Sequence, residues 1–193
     1  MKSSEIIVPA RRAFLGGAGK ATLSVAAIAL LAGQEALAQG ASAGMQDVSI
    51  LNVALGLEHE AINAYQLGAQ SGLLTKPVLD VAVLFQSHHK GHRDALVATI
   101  RKLGGTPVAE KSMDDYAKAL NAATLKSQAD VLELAARLEM GATNAYLGVI
   151  PAFKDPALAK VAGRLAADET MHWSILANAL GKPMPMAALS FGA

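Results

Sequence analysis

One nine-residue pattern occurs twice. Leu57-Glu58-His59-Glu60-Ala61-Ile62-Asn63-Ala64-Tyr65 returns 81 residues later as Leu138-Glu139-Met140-Gly141-Ala142-Thr143-Asn144-Ala145-Tyr146, with the common form L-E-x-x-A-x-N-A-Y. A second match follows at an offset of 80: His89-Lys90-Gly91-His92 against Glu169-Thr170-Met171-His172, each with a Leu four residues on, Leu96 and Leu176. Both halves close on a Leu-Gly stop, Leu103-Gly104 and Leu180-Gly181. A chain with two copies of one helical unit is constrained to bury both copies against each other.

Helical periodicity marks four long segments: Asp47 to Gln70, Pro77 to Leu103, Gln128 to Val149, and Pro156 to Leu180. Short loops join the first to the second and the third to the fourth, so each pair is an antiparallel hairpin. A longer connection, 104–126, separates the hairpins and carries a short amphipathic piece from Met113 to Leu120. The expected fold is all-α: an antiparallel four-helix bundle of two repeated hairpins with a long crossover. Composition agrees, with 52% hydrophobic residues rich in Ala and Leu, and only 4% aromatics. No cysteine means no disulfide, no thiolate metal site and no Cys nucleophile. A formal charge of +1 gives no nucleic-acid footprint.

The first forty residues read as an export signal rather than as fold. Arg11-Arg12 precedes Phe14-Leu15, an apolar run from Ala21 to Ala32, and a small-residue cleavage signature at Ala36-Leu37-Ala38. The apolar run is too short to span a bilayer, which takes ~20 residues. The paired arginines resemble a twin-arginine (Tat) signal, which implies export through the Tat machinery to the periplasm, already folded. The domain reading is therefore a signal peptide at 1–38, a flexible linker at 39–46, the bundle at 47–182, and an unpacked Pro- and Met-containing tail at 183–193. No stable membrane insertion is expected after cleavage.

The helix seams carry the chemistry. Leu51, Leu55, Glu58, Ile62 and Tyr65 share one face of the first helix; Leu132, Ala136, Glu139, Thr143 and Tyr146 share one face of the third. Val78, Ala82, Phe85, His89, His92, Leu96 and Leu103 form the second seam, and Leu158, Ala162, Leu165, Glu169, His172, Leu176 and Ala179 the fourth. Each apolar stripe is broken near its middle by a carboxylate or an imidazole. Burying such groups costs several kcal/mol unless they are paired or bind metal. Four interruptions at one level ask for one shared cause. Glutamate and histidine suit iron, manganese or zinc, and Glu169-x-x-His172 places two ligands one turn apart on one face. Tyr65 and Tyr146, seven residues past Glu58 and Glu139, can hydrogen-bond those ligands or serve as core-edge aromatics. His59, Glu60 and His88 fall off the seams, His59 and His88 by about 100°. Asn63 and Asn144 are expected at helix–helix contacts, and Trp173 outward or against the crossover.

On these motifs the chain resembles the ferritin-like superfamily. It is similar more closely to exported ferritin-like domain proteins with a Tat signal, relatives of the desiccation-related proteins. The resemblance implies a di-metal site with one Glu from each of two helices and Glu-x-x-His from each of the other two. Transferred residue by residue, the ligands are Glu58, Glu139, Glu169, His172, His92 and the residue at 89. That residue is His89 where the pattern has Glu, so the implied set is three carboxylates and three imidazoles. Pairing Gln86 with His89 instead breaks the Leu96–Leu176 match. Iron is the implied metal, with manganese or zinc as alternatives and O2 or peroxide as co-substrates in an oxidase- or peroxidase-type reaction. A homodimer is compatible with the pattern. The competing reading is a non-enzymatic envelope stress or interaction protein with a degenerate or structural metal site. A membrane-surface bundle ranks last, because no polybasic face is present.

Overall fold

Helix ends follow local chemistry. The Ser112 hydroxyl accepts from Asp115 N, the Ser127 hydroxyl from Asp130 N, and the Asp155 carboxylate from Ala157 N, each capping a helix start. The two hairpins end on the same device. Gly104 and Gly181 adopt φ of 78° and 67°, and the next residues reach back to helix carbonyls, Gly105 N to Ile100 O and Lys182 N to Ala177 O, both at 2.9 Å. This left-handed stop suits glycine and explains the repeated Leu-Gly.

The computed structural model describes residues 43–192. Its helices are α1 (Ala43–Gln70), α2 (Lys76–Lys102), α3 (Met113–Ala119), α4 (Gln128–Val149) and α5 (Pro156–Ala179), with 3-10 turns at Ala122–Thr124 and Ile150–Ala152. Among the described residues there is no strand, and no helix is long and apolar enough to cross a membrane. The segment read as a signal peptide lies outside the described residues. α1 begins at Ala43, four residues ahead of the expected start.

The α1–α2 and α4–α5 hairpins are the tightest pairs, and they meet chiefly through α1 and α4. At Gly68 an added Cβ would lie 2.9 Å from Val131 Cγ1, so glycine sets this close approach. α2 and α5 stand further apart. Asp47, only 4% exposed, accepts from Lys154 N (2.9 Å) and Asp155 N (3.1 Å), tying the start of α1 to the α4–α5 loop.

Several expectations are corrected. Leu103 is not a seam residue: it caps α2 and is 39% exposed, while fully buried Ile100 continues the stripe. Ala179 likewise is exposed, at the end of α5. Asn63 and Asn144 do not join helices. Asn63 Nδ2 donates to Glu110 Oε1 (2.6 Å) in the crossover, and Asn144 Oδ1 accepts from Gly192 N (2.8 Å) in the tail. Each repeated Asn therefore anchors the segment that leaves its own hairpin. Trp173 does not point outward; it is buried and packs edge-on against Phe191, ring centres 5.1 Å apart. The far end of the tail is thus docked. His59 is buried beside the crossover, with Nε2 3.3 Å from Val108 O.

Candidate metal centre

Each long helix contributes its seam interruption to one level of the bundle. α1 brings Glu58, α2 brings His89 and His92, α4 brings Glu139, and α5 brings Glu169 and His172. All but His92 are at most 2% exposed. All six sequence-nominated residues converge. They form two overlapping groups, Glu58–His89–His92–Glu169 and His89–Glu139–Glu169–His172, and within each group one nitrogen or oxygen atom per residue lies within 4.8 Å of the others. Glu169 and His89 belong to both.

His89 sits between the lone carboxylates. Its Nδ1 is 2.8 Å from Glu58 Oε2 and its Nε2 is 3.2 Å from Glu139 Oε1. Glu169 turns one oxygen to each side: Oε1 lies 3.3 Å from His92 Nδ1 and Oε2 lies 3.1 Å from His172 Nδ1. The tyrosines cross over between hairpins. Tyr65 on α1 donates its hydroxyl to Glu139 on α4, and Tyr146 on α4 donates to Glu58 on α1. Each tyrosine thus holds the other hairpin's carboxylate. The outer nitrogens are held as well. His172 Nε2 pairs with His88 Nδ1 at 2.9 Å, and His92 Nε2 lies 3.2 Å from Asp168 Oδ2. Phe85 stacks on the His172 ring, centres 4.1 Å apart. Asp168 was missed from sequence. It neighbours Glu169 off the seam, and no spacing on α5 reveals its partner on α2.

Burial and pairing set the charges in opposite directions. Burial raises Glu58 and Glu139, but the facing imidazoles, His89 and His92 at Glu58 and His172 and His89 at Glu139, outweigh it and bring both carboxyls below the usual range. Burial prevails at Glu169, which is raised. Burial opposes charge on His89 and His92, yet their carboxylate partners hold both imidazoles high, His92 at about 10. Burial opposes charge on His172 as well, yet the facing carboxylates of Glu139 and Glu169 raise it. Burial, reinforced by adjacent carboxylates, keeps both phenols well above 10, so they act as donors. His88 is lowered by burial and by the neighbouring imidazoles.

The donor set fits a metal centre. Four buried side-chain atoms among the described residues make no hydrogen bond, and three belong here: His92 Nδ1, Glu139 Oε2 and Glu169 Oε1. Such atoms are costly in a core unless a further ligand completes them. The metal-free cluster balances its charge only with protonated imidazoles, and a metal needs those imidazoles neutral.

A pH signature follows for the metal-free protein. Raised His89, His92, His172 and Glu169 stabilise the fold at low pH, and this contribution is lost as pH rises through their folded values, about 10 for His92. Lowered Glu58 and Glu139 stabilise it above their unfolded values near 4.5, and this contribution is lost as pH falls. Metal-free protein is therefore expected to melt highest between roughly pH 5 and 6 and to weaken steadily toward pH 9. Metal-loaded protein should keep its Tm above pH 7. Coincident Tm profiles with and without metal would contradict this charge assignment.

A ferritin-like domain family model matches residues 46–182. Among solved structures, the chain is similar to a conserved hypothetical protein, rv2844, from Mycobacterium tuberculosis. Identity is 24% and the TM-score 0.60, over 77% of this chain and 99% of that one, a likeness of fold. No curated protein matches the chain.

Proposed function

The chain belongs to the ferritin-like domain family, and from that premise we propose that its bundle core holds a di-iron centre, with manganese or a mixed pair as alternatives. The observation that carries this reading is the pair of overlapping buried donor groups sharing Glu169 and His89. Glu169 faces the two groups with separate oxygens and would be the carboxylate common to both ions. A neutral imidazole offers one lone pair. With metal bound, His89 would therefore serve as a ligand on one side only and donate its N–H to a carboxylate on the other.

When bound, a reduced di-metal pair supplies electrons for the reduction of O2 or peroxide. The chain's own residues prepare that site. Tyr65 and Tyr146 fix the orientation of Glu139 and Glu58 by donating from the opposite hairpin. His88 and Asp168 hold the outer nitrogens of His172 and His92, leaving the Nδ1 atoms aimed inward. Seam residues Leu55, Phe85, Leu96 and Leu176 exclude water around the cluster.

Anaerobic Fe(II) loading of protein purified without chelator tests this reading. About two irons per chain, with an absorption change on admitting air, are the expected result. No stoichiometric metal under any loading would overturn it. One observation favours a second reading: His89, bonded to both Glu58 and Glu139, lets the metal-free cluster satisfy much of its own charge. In that reading the cluster is a structural ion-pair network of a non-enzymatic envelope protein, and the same titration decides between them.

The leader supports export through the twin-arginine route to the periplasm. Replacing Arg11 and Arg12 with Lys is expected to leave precursor in the cytoplasm; unimpaired export would remove that route.

A further inference from the structure

We propose that the apolar cavity between the two hairpins, lined by all four long helices, is a binding site for an uncharged hydrocarbon group, seated against Tyr65 at the edge of the Glu/His cluster. The cavity has a volume of about 230 Å³. Val81 and Ala82 of α2, Leu132 and Ala135 of α4, and Leu176 of α5 line it, with the Tyr65 ring at its inner side. Every side chain in its lining is apolar apart from the Tyr65 phenol, and that hydroxyl is committed to Glu139.

The backbone arrangement explains the space. Gly68 and Val131, where α1 and α4 approach closely, line one wall of the cavity, and α2 and α5, which stand further apart, line the other. Small residues, Ala82 and Ala135, line the resulting gap. Core packing elsewhere is closed around Leu55, Phe85, Ile100 and Tyr146, each at most 2% exposed. An unfilled volume of this size inside such a core costs stability.

The lining selects the ligand class. A charged or hydrogen-bonding group would lose its water and find no partner. Apolar cavities stay dry and take apolar guests; one of ~150 Å³ is enough for benzene. A volume half as large again suits two fused rings or a short alkyl chain. Pro77 and Ile175, both exposed, also belong to the lining and place its mouth at the surface. A hydrocarbon entering there comes to lie one side chain from Glu139, because Tyr65 both lines the cavity and bonds that carboxylate. Delivery toward a metal pair rests on the di-iron reading above; hydrocarbon binding itself does not.

The probe is naphthalene, titrated into the full chain in metal-free and iron-loaded forms, with heat and amide chemical shifts as readouts. One saturable site per chain is expected, with the largest shifts at Ala82 and Ala135. Val81→Trp, at a half-buried position, and Ala135→Leu, deeper inside, should each weaken binding tenfold or more. The shift map on the natural chain stands even where one variant fails to fold. Absence of saturable binding, shifts elsewhere, or wild-type affinity in a folded variant would overturn the proposal. Iron content on the same samples separates the two readings. Two irons without naphthalene binding removes the cavity assignment alone, whereas naphthalene binding without iron removes the di-iron centre and leaves the cavity site standing.

Discussion

If the proposed centre holds two ions, Glu169→Ala is expected to lose both, whereas Glu58→Ala and Glu139→Ala should each retain close to one per chain. The distinction comes from position. Glu169 belongs to both donor groups, while Glu58 belongs only to the group with His92 and Glu139 only to the group with His172. Removing Glu169 takes one carboxylate oxygen from each side, Oε1 facing His92 and Oε2 facing His172. The remaining donors around each position then fall to three, of which His89 can serve only one side. Second-sphere partners shift metal affinity by about 10–100-fold, and a ligand common to both ions should do more. Iron per chain, measured after gel filtration of folded variants, checks the pattern. Equal losses in all three variants would show that the two positions fill only as a pair. Retained stoichiometry in Glu169→Ala would remove that residue from the centre.

The second large effect is expected at position 89. His89→Glu should raise iron occupancy and, at the same time, make the fold depend on iron. Metal-free, His89 is the cation between Glu58 and Glu139, at 2.8 and 3.2 Å. The substitution removes that cation and places a fourth carboxylate in a site at most 2% exposed. Breaking a buried pair by removing one partner costs about 3–5 kcal/mol. For a domain of this size that lowers the metal-free Tm by roughly 10 °C. Two divalent ions supply four positive charges, which four carboxylates balance and three do not, so the loaded variant should recover or exceed the parent's Tm. The gap between metal-free and loaded Tm is the measurement. An unchanged metal-free Tm would mean that His89 does not hold the two carboxylates together.

Much of the architecture is legible in the chain because periodicity reports faces. Leu51, Leu55, Glu58, Ile62 and Tyr65 fall on one side of a 3.6-residue helix whatever packs against it, and all five are buried. The duplicated L-E-x-x-A-x-N-A-Y pattern places Glu58 and Glu139 in equivalent hairpins, and the long α2 and α5 motifs place their polar residues at the same level. Convergence of the six donors follows from that repetition. The stripe does not run to the helix ends: Leu103 is already the cap of α2, where the backbone leaves the helix, and Ala179, the last residue of α5, is exposed.

Sequence by itself determined the helices, the hairpin pairing and the level at which glutamates and histidines meet. Tertiary structure alone decided which hairpin's carboxylate each tyrosine holds, that Asp168 and His88 brace the outer nitrogens, that Asn63 and Asn144 anchor the crossover and the tail, and that a cavity lies beside Tyr65. The reason is geometric. Local sequence fixes the direction of a side chain about its own helix axis, whereas its partner depends on the offset, crossing and spacing of a second helix, which are set jointly by close approaches such as Gly68 on Val131.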